Sequence, residues 1–144
     1  MSIIVTMNLA SGQPPVAVPM DRTNLIAEGT DLGSGIVVKV DSADAAGGDG
    51  KAAIANVNGS DAVGVTVAAA DQNDKVRIVY LTPGMVLKGA AAAELKVGDT
   101  CQFNATLDGF DDGTGTTIKV IATEEDADGD HKIIYGVLSS AALY

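Results

Sequence analysis

Residues 62–81, AVGVTVAAADQNDKVRIVYL, decide the fold. Val63, Val65 and Val67 alternate with smaller residues, the period-two pattern of a strand with one buried face. Asp71-Gln72-Asn73-Asp74 then supplies polar turn material. Residues 75–81 resume the alternation, with Val76, Ile78 and Tyr80 on one face and Lys75, Arg77, Val79 and Leu81 on the other. Two alternating runs around a short polar loop predict a β-hairpin.

Working outward, the same texture continues in both directions. Strand-like runs occur at 35–40 (GIVVKV), 51–57, 85–88, 100–106 (TCQFNAT), 116–123 (TTIKVIAT) and 131–138 (HKIIYGVL). Acidic, glycine-rich turns separate several of them, at 41–50, 108–115 and 124–130. About eight short strands at such spacing predict an all-β barrel or sandwich over residues 21–144. The stretch GAAAAELK at 89–96 is the one helix-like piece, long enough for a single turn packed on the sheet. No repeat of fixed period and no linker divides the chain. Aromatic residues make up only 3 %, so the expected core is built from Val, Ile, Leu and Ala.

Residues 1–20 read differently. An apolar run from Ile3 to Leu9 leads into three prolines within six residues, Pro14, Pro15 and Pro19. Proline lacks an amide proton and resists helical neighbours, so this segment is expected to be extended, as an N-terminal arm. It is too apolar for a solvated tail and requires a surface to lie on, in its own domain or on a neighbouring subunit. The candidate protein-interface residues are Ile3, Ile4, Val5, Met7 and Leu9, followed by Pro14, Pro15, Val16, Val18 and Met20.

Charge and motif content argue against several function classes. The net charge is −10 and only nine residues are Lys or Arg, without the cationic cluster that phosphate contacts or anionic lipids demand. Neither nucleic acid nor membrane is an expected partner. Cys101 is the only cysteine and His131 the only histidine, so a catalytic pair or a zinc site would have to use them. Residues 126–130, DADGD, superficially suggest a calcium loop. Counting from Asp126, however, the sixth residue is His131 rather than Gly and the twelfth is Val137 rather than Glu. No catalytic residue, metal ligand or cofactor is assigned.

The segment 62–103, AVGVTVAAADQNDKVRIVYLTPGMVLKGAAAAELKVGDTCQF, resembles head decoration (capsid cement) proteins of tailed bacteriophages, and the late HKIIYGVLSS fits the same pattern. The resemblance covers about half the chain and rests on texture rather than on fixed side chains. It implies a small β-barrel or β-tulip domain on the outer capsid surface of the virion. It also implies the major capsid protein as partner, self-association as a homotrimer, and an N-terminal arm that engages the shell. Another β-rich virion or adhesive module, such as a tail or fibre component or a carbohydrate-binding domain, is the alternative. Sugar platforms usually expose aromatic rings, and this chain has no Trp.

Overall fold

The computed structural model describes residues 2–9, 17–21, 33–40, 52–55, 57–59, 61–68, 75–114 and 118–139. Within them the chain is all-β, with eleven strands in two antiparallel sheets. The strands are β1 (Ile4–Asn8), β2 (Val18–Asp21), β3 (Val37–Val40), β4 (Ala52–Ile54), β5 (Gly64–Ala68) and β6 (Lys75–Tyr80). They continue as β7 (Met85–Ala90), β8 (Thr100–Phe103), β9 (Phe110–Asp112), β10 (Ile118–Glu124) and β11 (Ile133–Leu138). One sheet has the order β1-β7-β11-β10-β8-β9 and the other β2-β6-β5-β3-β4.

The predicted hairpin is β5–β6, paired Gly64↔Tyr80, Val65↔Val79 and Thr66↔Ile78. A bulge between Thr66 and Ala68 breaks the expected alternation, so Val65 is buried while Val67 is 39 % exposed. β6 buries apolar side chains on both faces: Val76 and Ile78 are fully buried and Val79 nearly so, while Arg77 and Tyr80 stay exposed. Thr66, opposite Ile78, is the one buried polar side chain among the described residues. Its hydroxyl donates to the Gly33 carbonyl at 2.5 Å and accepts from the Ile36 amide at 2.9 Å, clamping the turn that enters β3. Thr66→Val keeps the shape but orphans both backbone groups. The expected loss is about 2 kcal/mol of unfolding free energy by urea titration, with the m-value unchanged.

The six-stranded sheet rolls until its far edge strand, β9, touches the end of β7, the strand next to its other edge. A single parallel bridge joins Ala91, just beyond β7, to Phe110 of β9. Among the described residues the sheets do not close into a barrel. Inside the roll Phe103 and Phe110 are fully buried and stacked, with centroids 6.2 Å apart and planes 17° from parallel. The core is therefore organised around two phenylalanines, not around aliphatic side chains alone. Glycine makes room for the packing. A Cβ on Gly136 would stand 2.4 Å from Ile118 Cγ2, and one on Gly89 would stand 3.0 Å from Phe110 Cε2. Val65 and Val37 of the second sheet, and Leu81 just beyond β6, join the same core.

One expectation is corrected. Residues 89–96 form no helical turn: Gly89 and Ala90 finish β7, Ala91 makes the bridge, and Leu95 tucks inward while Ala92 to Glu94 stay exposed. Alanine's helix preference yields here to cross-strand pairing with β11. The described parts of the N-terminal segment are extended, and the surface they lie on is the chain's own sheets. β1 pairs with β7, β2 pairs with β6, and the Ile3 amide donates to the Gly35 carbonyl.

Candidate interaction surface

Pairing register shows which side chains share the outer face of the six-stranded sheet. One row runs Ile4, Lys88, Tyr135, Ala122, and the next runs Met7, Val86, Val137, Lys119. The alternate rows, including Val5, Leu87, Gly136 and Val120, point inward, where Leu87 and Val120 are essentially inaccessible. On the outer face Ile4 is 54 % and Met7 39 % exposed. Leu9, just past β1 and bonded through its amide to the Gly84 carbonyl, is 55 % exposed.

A second group lies at the opposite side of this face. The β10 bulge between Val120 and Ala122 turns Ile121 outward, leaving it 42 % exposed. The turn at 96–99 closes through Lys96 and Asp99 and bonds to Val120, presenting Val97 at 65 % exposure. Of the seven large apolar side chains exposed among the described residues, five (Ile4, Met7, Leu9, Val97 and Ile121) belong to this sheet or its turns. The other two, Val67 and Tyr80, belong to the second sheet. Among the described residues, the exposed large apolar side chains are thus concentrated on this sheet and its turns, as two groups on either side of a polar middle that together form the apolar band.

A polar brace crosses the middle of the band. Tyr135 Oη donates to Glu124 Oε1 at 2.7 Å, Lys88 Nζ lies 3.4 Å from Glu124 Oε2, and the same ammonium sits 5.4 Å from the Tyr135 ring centroid. The Tyr135 hydrogen bond, and then Lys88, hold the Glu124 carboxyl below its ordinary range against some loss of solvation. Tyr135, followed by Glu124, raises the Lys88 ammonium. A depressed carboxylate stabilises the fold above the unfolded-state Glu range and loses that contribution as pH falls through the native value. A raised ammonium contributes below the ordinary Lys range and is lost as pH rises through the native value. The brace is therefore complete at neutral pH. An NMR titration is expected to place the Glu124 midpoint below that of an ordinary glutamate, and Tyr135→Phe is expected to move it up toward the ordinary value.

The ten residues singled out in sequence now separate. Ile3 is buried and Val5 packs against the core, so both are structural. Ile4, Met7 and Leu9 stay exposed on or beside β1. Val18 and Met20 lie on β2, and Pro14, Pro15 and Val16 fall outside the described residues. Sequence reading missed Val97, Ile121 and Tyr135, which adjoin the band only through the folded register. The exposed bulge residue Ile121 has no signature in a single strand's alternation.

The structure does not bring Cys101 and His131 together. Cys101 is fully buried on β8 in the row of Ile118 and Leu138, whereas His131 precedes the opposite end of β11. The strand between Ile133 and Leu138 alone spans about 17 Å. Burial, and then Asp112 and Asp99, push the Cys101 thiol up to about 12, which disfavours the nucleophilic thiolate. His131 is exposed, with Nε2 3.6 Å from Glu125 and Nδ1 3.4 Å from the Thr123 hydroxyl. Residues 126–130 form a self-satisfied turn, in which Asp126 Oδ1 accepts from the Asp128 and Asp130 amides. No cluster of three or more potential metal ligands occurs among the described residues. No protein-family model, curated protein or solved structure matches the chain.

Proposed function

We propose that this chain is a structural virion protein that binds the outer surface of an assembled tailed-phage capsid and bridges its major capsid protein subunits, acting as a homotrimer without catalysis or cofactor. The observation that carries the reading is the apolar band on the outer face of the six-stranded sheet. It supports protein–protein contact, and the resemblance of residues 62–103 to capsid decoration proteins narrows the partner to a viral shell. The acidic composition, with a net charge of −10, supports a protein partner over nucleic acid or membrane.

The mechanism is mass action. A subunit that binds the closed lattice more tightly than free capsomers stabilises the lattice by the difference. Three linked bands multiply that effect, because the second and third contacts form at high effective concentration. Ile4, Met7 and Leu9 provide the anchors, and Lys88, Glu124 and Tyr135 hold the centre of the face in shape. The test is co-sedimentation of the purified protein with expanded, undecorated capsids of the encoding virus. Saturable uptake in a fixed ratio to capsid protein supports the reading, whereas protein that stays in the supernatant at every concentration rejects it.

A further inference from the structure

Asn58–Gly59 is the only Asn-Gly step in the chain, and this dipeptide combines an amide leaving group with the least hindered following nitrogen. Asn58 adopts φ 62°, ψ 15°, a left-handed conformation that Asn tolerates better than most side chains. Its Nδ2 donates to the Phe103 carbonyl at 2.9 Å. Gly59, with φ 71°, lies so close to Phe103 that a Cβ would stand 2.4 Å from Cδ2 of the ring. Its carbonyl accepts from the Ala62 amide at 3.0 Å. The step is thus clamped against one of the two largest side chains of the core.

We infer that Asn58–Gly59 is a deamidation site held closed by the native fold, so that the modification proceeds in the unfolded chain and its product no longer fits. In the reaction the Gly59 nitrogen attacks Asn58 Cγ. A C–N bond forms, the Gly59 amide proton is lost, and the Cγ–Nδ2 bond breaks with release of ammonia. Water then opens the succinimide at either carbonyl, giving aspartate or isoaspartate. Ring closure requires the Gly59 nitrogen and Asn58 Cγ to meet on one side of the Asn58 backbone. A ψ of 15° instead turns that nitrogen away from Cβ, while the bond to Phe103 holds the side chain.

Either product removes what the fold uses. The Nδ2 donor is replaced by a carboxylate oxygen facing the Phe103 carbonyl, two acceptors without a proton between them. The isoaspartyl form also inserts a methylene into the main chain where Gly59 packs on the Phe103 ring. Time spent unfolded is therefore recorded chemically beside the core, and recorded chains lose the ability to refold.

The experiment holds the full chain at mildly alkaline pH, natively and in concentrated urea, and follows the Asn58 peptide by mass spectrometry with isoaspartate detection. Modification is expected about tenfold or more faster in urea, because the native chain must first open. Refolding yield is expected to fall in step with it. Asn58→Gly suits the same backbone and cannot deamidate; it lacks the Nδ2 donor and so starts from a lower midpoint, but its refolding yield should not decline over the same incubation. Equal rates with and without urea, or modified chains that refold to the unmodified midpoint, would overturn the inference.

Discussion

Replacing Phe103 with alanine is expected to remove about 3–5 kcal/mol of stability, a large part of the roughly 5–15 kcal/mol that a domain of this size possesses. Phe103 is fully buried, stacks on Phe110, and is the surface on which Gly59 packs. Its carbonyl receives Asn58. Alanine leaves a cavity between the roll of the six-stranded sheet and the turn at 57–59, and both sides lose contacts that cannot re-form without moving backbone. Phe103→Leu fills much of that volume and is expected to cost substantially less. Denaturant midpoints of the two variants decide the matter. Equal, small losses would mean that the roll is not centred on this ring.

The other large effect concerns binding rather than folding. Ile4→Glu combined with Met7→Glu places two carboxylates on the exposed face of β1 without touching the inward-facing Val5. Stability is expected to change by no more than about 0.5 kcal/mol per site, as for other surface substitutions. Affinity for the capsid lattice is expected to fall at least about a hundredfold, since buried apolar anchors dominate interfaces and a desolvated carboxylate without a partner is costly. Deletion of residues 2–9 is a poorer probe. It removes the buried Ile3 and the whole of β1, and exposes the edge of β7. Loss of binding by the truncated chain would then report unfolding as readily as lost contact.

Much of the architecture was legible because it is local. The eight runs read as strands coincide with β3–β8, β10 and β11, each carried by β-branched residues between glycine-rich or acidic turns. The three further strands were less visible for separate reasons. β1 and β2 lie in the proline-broken N-terminal stretch, where extended geometry is evident but the pairing partner is not. β9 hides inside an acidic, glycine-rich segment, and its one inward anchor, Phe110, becomes meaningful only opposite Ala91 and Gly89. The surface was half legible. Ile4, Met7 and Leu9 stood out as apolar residues in a terminal segment, but alternation could not show that Ile3 and Val5 turn inward. Ile121, Tyr135 and Val97 join them through a bulge, a register and a turn, none of which a single strand encodes.

The proposed capsid-binding role, and the face it would use, are tested most directly by cryo-electron microscopy of capsids incubated with the purified chain. Density that fits the two-sheet fold, with β1, β10 and the 96–99 turn against the shell and the acidic turn at 125–130 on the periphery, is the expected result. Capsids that carry no such density, or density with Ile4, Met7 and Ile121 facing solvent, would contradict the assignment of the apolar band as the capsid-binding surface.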